Sequence, residues 1–121
     1  MTIWTWLGVA VLGGAGAVGR FALDRFIGAR IAGELPCGTF AINISGALVL
    51  GLLDGLALHG DAMLLAGTAA IGSYTTFSTW MFETQRLTEG GEFTAGLANV
   101  VGSLLAGFAA VALGHLIGAH V

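Results

Sequence analysis

Residues 62–82 read AMLLAGTAAIGSYTTFSTWMF and contain no charged side chain. The first half of this run is apolar, whereas five serine and threonine residues lie within positions 73–79. A helix that crosses about 30 Å of hydrocarbon needs about 20 mostly apolar residues. The run therefore predicts a membrane-spanning helix with a polar stretch near its middle, close to the bilayer midplane.

Three further uncharged runs, each at least 19 residues long, cover positions 1–19, 35–53 and 93–121. Each run is long enough to cross a bilayer as a helix. We therefore predict an all-α membrane protein with four transmembrane helices. Their predicted bounds are 3–27, 38–58, 62–87 and 93–118.

The connections between the predicted helices are short. The 28–37 loop contains Pro36, the single proline of the chain. The pairs Gly60-Asp61 and Gly90-Gly91 mark the other two turns. Because these connections leave no residues for a second domain, we predict one transmembrane domain over residues 1–121.

The overall composition agrees with this interpretation. Of 121 residues, 56% are hydrophobic and 9% are charged, whereas a soluble domain carries about 25% charged residues. This shortage of polar surface excludes a soluble enzyme, and four basic residues against seven acidic ones argue against a nucleic-acid partner. We expect a multi-pass protein of the cell membrane whose surroundings are lipid.

Small residues recur four positions apart within the predicted helices, a spacing that lets helices pack closely in lipid. The pairs are Gly51 with Gly55, Gly72 with Thr76, Ser103 with Gly107, and Gly114 with Gly118. Four helices of this length are too few to enclose a water-filled pathway and satisfy their own packing as well. We therefore expect the chain to work as an oligomer.

One glycine-rich run looks like a nucleotide-binding motif. Residues 14–19, GAGAVG, match the dinucleotide fingerprint G-x-G-x-x-G. That motif has a mechanism only after a strand and at the start of a helix in a parallel sheet. Here the run lies inside a predicted membrane helix, so we interpret it as a smooth packing face for a neighbouring helix.

The stretch Gly72–Trp80 is poorly suited to a continuous helix, since glycine, serine and β-branched threonine are weak helix formers. Non-helical backbone at membrane depth is tolerated only where protein, water or an ion satisfies it. We predict a break in helix 3, with freed carbonyls that suit a small cation and hydroxyls that suit an anion. The alternative is an intact helix whose serines and threonines bond back to their own turn.

Polar side chains elsewhere in the predicted spans join this stretch. Asn43 in helix 2 offers two amide donors and a carbonyl acceptor. Arg20 lies inside the helix 1 pattern, and ionisable residues in membranes usually face a bundle interior or an aqueous cavity. The alternatives are a purely structural interhelical bond for Asn43 and snorkelling to the interface for Arg20. Asn99 and Ser103 share one face of helix 4 and either extend a polar track or simply pack.

Several of these elements occur together in one known family. They are Arg20-Phe21 after a glycine, Pro36-x-Gly38-Thr39-Phe40, Asn43 with Gly46, the run Thr75–Thr79 before an aromatic residue, and Glu83 six residues after Phe77. In combination they resemble the Fluc (CrcB) fluoride channels over nearly the whole chain. The resemblance implies an antiparallel, dual-topology dimer with two narrow pores that lets toxic fluoride leave the cell passively.

The resemblance also implies roles for individual residues. The backbone carbonyls of Gly72 and Thr75 correspond to those that hold a structural sodium ion at the dimer centre. Asn43 corresponds to a pore asparagine, and Phe77 to the first of two pore aromatics. The chain departs from the family at Trp80, where the second aromatic is usually phenylalanine, and at Asn99, where a tyrosine is usual. Gly107 stands where the family has a further hydroxyl residue.

Fluoride is small and strongly hydrated, so a pathway must replace its water with hydrogen-bond donors. The candidate donors are Asn43, Thr76, Ser78, Thr79 and Ser103. Aromatic ring edges carry positive charge density, so Phe77 and Trp80 can face an anion favourably. A fixed cation near the midplane would offset the cost of placing an anion in low dielectric, and Arg20 would attract anions into the vestibule.

The arginines suggest a fixed orientation in the membrane. With four helices, all four arginines lie on one side and none on the other, a bias that normally places that side in the cytoplasm. An antiparallel dimer would then need a paralogue inserted the other way. We keep two partners open, a second copy of this chain and an oppositely oriented paralogue.

Other function classes have less support. No cluster of histidine, acidic or thiol residues has the spacing of a metal site or a catalytic triad, so we expect no enzyme. A proton-coupled small multidrug-type transporter also has four short helices, but its mechanism needs a carboxylate in the middle of helix 1, and residues 3–19 contain none. An inert assembly subunit would leave the hydroxyl run in helix 3 without a purpose.

Overall fold

A computed structural model of the chain describes residues 2–31 and 35–121. Within these ranges the protein is helical and contains no strand. The elements are α1 (Ile3–Arg30), α2 (Cys37–Gly55), α3 (Gly60–Met63), a π-helical stretch π1 (Leu64–Ile71), α4 (Gly72–Tyr74), α5 (Ser78–Glu89) and α6 (Phe93–Ala119). Positions 1 and 32–34, which include part of the predicted 28–37 loop, lie outside the described residues.

The all-α class is confirmed, and three of the helices, α1, α2 and α6, are long and apolar enough to cross a membrane. The predicted span 62–87 corresponds to four successive helical pieces, α3, π1, α4 and α5. Each piece alone is shorter than a bilayer requires. The chain is a multi-pass membrane protein in which one segment consists of several short helical pieces, whereas the other segments are continuous helices.

Helix α2 ends earlier than predicted, at Gly55 instead of residue 58. Two backbone bonds form a Schellman motif there, from the Leu58 N–H to the Leu53 carbonyl at 3.1 Å and from the Ala57 N–H to the Asp54 carbonyl at 2.9 Å. Ala57 occupies the left-handed position with φ 61°. The sequence pattern missed this helix end because glycine usually fills that position.

The end of α5 has the same motif with the expected residue. The Glu92 N–H bonds to the Leu87 carbonyl at 2.8 Å, and the Gly91 N–H bonds to the Thr88 carbonyl at 3.2 Å. Gly91 has φ 84°, which glycine adopts at little cost. The turn predicted at Gly90-Gly91 therefore lies where the sequence placed it.

Glycines bring α2 and α6 into direct backbone contact. A Cβ atom on Gly51 would collide with the Val111 carbonyl, and one on Gly114 would collide with the Leu48 carbonyl. Gly55 and Gly118, the second members of their pairs, are equally crowded. These two predicted pairs are each other's packing partners.

The other two small-residue pairs do not make such close contacts. A Cβ atom on Gly72 would lie 3.8 Å from the Gly67 carbonyl oxygen, and one on Gly107 would lie 4.0 Å from Ile44. Both are ordinary van der Waals distances, so neither position packs tightly against another described helix of the same chain. The reason is that both glycines line an open groove, which is described below.

The glycine-rich run at 14–19 lies in the middle of α1. A Cβ atom on Gly16 would collide with the Ala70 carbonyl of π1 and with the Ser73 hydroxyl. We call the succession α3, π1, α4 and α5 the third membrane segment, or third segment. The glycine-rich run therefore brings α1 close to this segment, as its interpretation as a packing face requires. Its position inside a helix is incompatible with the dinucleotide-binding geometry.

Candidate functional site

The third segment is interrupted between Tyr74, where α4 ends, and Ser78, where α5 begins. Thr75 has an extended backbone with φ −80° and ψ 161°. Asn43 of α2 bonds to both backbone polar groups of Thr76: its Nδ2–H donates to the Thr76 carbonyl and its Oδ1 accepts from the Thr76 N–H, each at 2.8 Å. The Asn43 amide thus replaces the helical partners that Thr76 lacks, and its second N–H has no partner among the described residues.

The same rearrangement frees two carbonyls. In a continuous helix, the Thr76 N–H would bond to the Gly72 carbonyl and the Thr79 N–H to the Thr75 carbonyl. Here the Thr76 N–H bonds to Asn43 and the Thr79 N–H bonds to the Thr76 hydroxyl at 3.2 Å. The oxygens of Gly72 and Thr75, to which the family resemblance gives the role of sodium ligands, are therefore released from the helical ladder.

Arg20 reaches this interruption from α1. Its Nη1 donates to the Thr75 carbonyl at 3.4 Å, and the residue is half-buried. The other three arginines stack over phenylalanines four positions earlier in their own helices: Arg25 over Phe21, Arg30 over Phe26 and Arg86 over Phe82. Arg20 thus places positive charge beside the interruption, whereas the other arginines remain on the surfaces of their own helices.

The hydroxyl groups of the third segment fall into two sets. Ser73 donates to the Ala69 carbonyl at 2.7 Å and Thr75 donates to the Ile71 carbonyl at 3.1 Å, so both bond back to their own turn. Thr76, Ser78 and Thr79 instead form a cluster at the start of α5, with the Thr76 oxygen 3.4 Å from Ser78 Oγ and 3.3 Å from Thr79 Oγ1. The interpretation of back-bonding holds for the first set only.

Two aromatic side chains lie directly after the interruption. The rings of Phe77 and Trp80 meet edge to face, with centroids 5.6 Å apart and an interplanar angle of 84°. Phe77 is 70% exposed in the single chain. The Trp80 indole N–H donates to the Asn99 backbone carbonyl at 3.2 Å, so the extra donor of tryptophan is already bound within the chain.

A groove of 570 Å³ lies between α2, the third segment and α6. Seven of the ten predicted site residues line it: Asn43, Gly72, Thr75, Thr76, Phe77, Trp80 and Ser103. The Ser103 hydroxyl is buried and has no hydrogen-bond partner among the described residues. The other three predicted residues, Arg20, Ser78 and Thr79, lie outside the lining of the groove and contact its wall through Thr75 and Thr76.

Sequence reasoning missed three polar contacts around the site. The Thr39 hydroxyl donates to the Glu83 carboxylate, which joins α2 to α5. Tyr74 and Ser45 share a hydrogen bond of 2.8 Å, and Thr84 accepts from the Asn99 amide at 2.8 Å. The PxGTF pattern and Glu83 carried a signal for the first contact, whereas no local pattern indicated the other two.

The described helices and their groove define a class: a multi-pass helical membrane protein with a compact polar site in an otherwise apolar wall. The polar atoms are the Gly72 carbonyl oxygen, the Thr75 carbonyl oxygen that accepts from Arg20, several hydroxyls and one amide N–H of Asn43. Small hard cations prefer oxygen ligands, and small anions require hydroxyl or amide donors. The site thus has the chemistry to bind small ions.

The chain matches the family described as CrcB-like protein, Camphor Resistance (CrcB), over residues 7–115. It is 52% identical over 117 residues to the fluoride-specific ion channel FluC 2 of Mycobacterium tuberculosis, covering 97% of this chain and 93% of the relative. It is 43% identical over 114 residues to FluC 2 of Moorella thermoacetica, covering 92% and 93%. It is 42% identical over 116 residues to FluC 1 of Leifsonia xyli subsp. xyli, covering 93% and 85%. The chain belongs to the CrcB-like family.

Proposed function

We propose that this chain is a subunit of a fluoride-selective ion channel that lets fluoride leave the cytoplasm down its gradient. The relatives that match over nearly its full length are named as fluoride-specific ion channels. The observation that carries the proposal is the Ser103 hydroxyl, which is buried and has no hydrogen-bond partner in the part of the chain that the structure describes, while Ser103 itself lines the groove. A buried hydroxyl without a partner is costly, and a permeating anion would supply the missing acceptor.

Fluoride would exchange its water for donors along the groove. The spare N–H of Asn43 and the Ser103 hydroxyl lie on this wall, with the Ser78 and Thr79 hydroxyls nearby. The exposed Phe77 ring offers its positive edge. Trp80 contributes its ring alone, because its N–H is bound to Asn99.

The functional unit in this proposal is an antiparallel dimer. The groove is open on the face where Phe77 and Phe108 are 70% and 72% exposed, and a single chain leaves one side of the pathway unlined. A second subunit packed on this face would close the groove. In an antiparallel arrangement, the interruption near the bilayer midplane would meet its counterpart.

A structural sodium ion between the two interruptions completes the proposal. The Gly72 and Thr75 carbonyls are hard oxygen donors freed from the helical ladder, so their chemistry fits such an ion. Hard cations take about six oxygen ligands, more than the two oxygens of one chain supply, which favours a site shared across the dimer. The ion would add positive charge where an anion crosses low dielectric. Replacing sodium with N-methyl-D-glucamine is expected to slow fluoride efflux and lower the thermal midpoint, and an unchanged rate would contradict the sodium site.

The partner is either a second copy or an oppositely oriented paralogue. With Arg20 directed to the interruption, three arginines remain to bias insertion, at Arg25, Arg30 and Arg86. All three would lie on the predicted cytoplasmic side, and the relatives carry the numbered names FluC 1 and FluC 2. Tags on both termini of the chain, tested for accessibility in intact cells, distinguish the two: labelling from one side favours the paralogue, and equal labelling from both sides favours the homodimer.

The second candidate remains a proton-coupled small multidrug-type transporter. Its mechanism needs a carboxylate in the middle of α1, but the acidic residue of α1 is Asp24, in the second half of that helix beside Gly38. Among the described residues, the Glu83 carboxyl that accepts from Thr39 is a feature that suits proton coupling. A flux that carries fluoride without a proton gradient separates the channel from this alternative.

Fluoride efflux from proteoliposomes tests the main proposal. The chain is reconstituted alone and together with a paralogue, and external fluoride is followed with a selective electrode. Efflux that is lost with Phe77→Ala and retained with Val121→Ala, an exposed residue outside the groove lining, supports the channel. Absence of fluoride efflux in both reconstitutions would overturn it.

A further inference from the structure

Three hydrogen bonds form a closed loop between α5 and α6 behind the groove. The Trp80 indole N–H donates to the Asn99 carbonyl at 3.2 Å. The Asn99 amide donates to the Thr84 hydroxyl at 2.8 Å, and that hydroxyl donates to the Trp80 carbonyl at 2.9 Å. The loop therefore begins and ends at Trp80, an aromatic residue of the groove wall.

The two helices approach closely enough for this loop because of a glycine one turn earlier. A Cβ atom on Gly96 would lie 2.8 Å from the Thr88 hydroxyl, so larger residues at this position would push α6 away from α5. Asn99 follows on the same face and is 5% exposed. A polar side chain buried this deeply has a high cost if its partner is removed.

We propose that Thr84 is a positioning residue that fixes the orientation of the Trp80 indole in the ion pathway. This inference rests on the proposed function, because it assigns the Trp80 ring to the fluoride pathway. Thr84 holds the Asn99 side chain, and this bond sets the register at which the Asn99 carbonyl meets the indole N–H. The indole is then locked edge to face against Phe77, and its N–H is kept away from the permeating anion.

This loop joins Trp80 and Asn99, two positions at which the chain carries other residues than those usual in the fluoride channel family. An indole whose N–H was free on the groove wall would bind an anion tightly and slow its release. Because the loop bonds that N–H to the Asn99 backbone carbonyl, the tryptophan presents its aromatic ring to the groove without a free N–H donor. Thr84 thus makes the larger ring compatible with permeation.

The test compares Thr84→Val with Thr84→Ser. Valine has the shape of threonine but lacks the hydroxyl, whereas serine retains it. Thr88→Val is the matched control, since Thr88 also bonds back to a carbonyl of its own helix, that of Thr84 at 3.0 Å, but does not bond to Trp80 or Asn99. We expect Thr84→Val to lower the initial fluoride efflux rate by about five-fold, the effect of losing one hydrogen bond, while Thr84→Ser and Thr88→Val retain it.

A spectroscopic measurement reports the indole directly. Trp4→Phe and Trp6→Phe remove the two other tryptophans, which are 77% and 60% exposed in the first turns of α1. In this background the fluorescence anisotropy of Trp80 is expected to fall with Thr84→Val and to return with Thr84→Ser. This readout does not depend on transport, so it still tests the loop if reconstituted protein fails to conduct fluoride.

A double-mutant cycle with Trp80→Phe completes the design. Phenylalanine has no N–H, so Thr84→Val is expected to change efflux little further in the Trp80→Phe background. An equal loss in both backgrounds, or a Thr84→Val protein with unchanged anisotropy, would overturn the positioning role. Unchanged efflux together with reduced anisotropy would show that the loop exists but does not act on permeation, and would overturn the proposal as well.

Discussion

Replacement of Asn43 by leucine offers the sharpest test of how the interrupted helix is maintained. Leucine has a similar volume but makes neither of the two 2.8 Å bonds to the Thr76 backbone. Thr76 is 8% exposed, so its N–H and carbonyl would be left without partners in a nearly dry site. Each such group costs about 1–3 kcal/mol, so the interrupted conformation would lose about 2–6 kcal/mol.

That loss is large on the scale of permeation. About 1.4 kcal/mol corresponds to a ten-fold change in rate or population, so Asn43→Leu is expected to reduce fluoride efflux by about 30-fold or more. The physical reason is that the Thr76 N–H can return to the Gly72 carbonyl and close the helix. Closing the helix would remove the free carbonyl and shift the register of Phe77.

The assay is fluoride efflux from proteoliposomes, paired with thermal unfolding in detergent. Ser45→Ala is the matched control, because Ser45 lies on the same helix and also makes a 2.8 Å hydrogen bond to the third segment, through Tyr74. It removes the hydrogen bonds of Ser45 Oγ to Tyr74 and to the Ile42 carbonyl and leaves the Thr76 backbone satisfied. If Asn43→Leu and Ser45→Ala had equal effects on efflux and on the thermal midpoint, the idea that Asn43 maintains the interruption would be refuted.

Three further substitutions have defined outcomes. Ala57→Gly is expected to stabilise the protein by about 1 kcal/mol, because Ala57 has φ 61° and glycine adopts that conformation without a steric penalty. Thermal unfolding measures this gain, and a lower midpoint would contradict the Schellman geometry. Ser103→Ala is expected to leave the thermal midpoint unchanged or to raise it, because the buried hydroxyl has no partner among the described residues. The same substitution is expected to slow fluoride efflux about ten-fold if that hydroxyl donates to the ion. Gly114→Leu is expected to abolish the folded peak in size-exclusion chromatography, because the Cβ atom would collide with the Leu48 carbonyl. Gly102→Leu is expected to retain that peak, because the space around Gly102 is open. Equal elution profiles for the two variants would refute the packing argument.

Arg20 shows how one polar residue in a membrane can serve two purposes. Its guanidinium bonds to a carbonyl that the interruption has freed, which compensates part of the backbone cost there. It also places positive charge next to the groove wall, where an anion would pass. The helix 1 pattern predicted a positive charge in this span but not its contact with Thr75.

Much of the candidate site was accessible from sequence because its chemistry is local. Weak helix formers between Gly72 and Trp80 predicted a polar stretch, and the structure has an interruption at positions 75–77. The glycine pairs in α2 and α6 predicted close packing, since small residues four positions apart form a flat helix face. The sequence did not indicate which faces meet, and Gly72 and Gly107 have only ordinary van der Waals contacts among the described residues because they line a groove.

The sequence alone determined the all-helical membrane class of this protein and the approximate positions of three membrane-spanning helices. The bilayer imposes those features on any chain, because a span must be long, apolar and almost free of charge. Only the tertiary structure decided the partners of the polar groups. Asn43 bonds to the backbone of Thr76, 33 residues away, and the Trp80 N–H bonds to the Asn99 carbonyl, 19 residues away. No local pattern encodes such pairs, because they depend on the register in which whole helices pack.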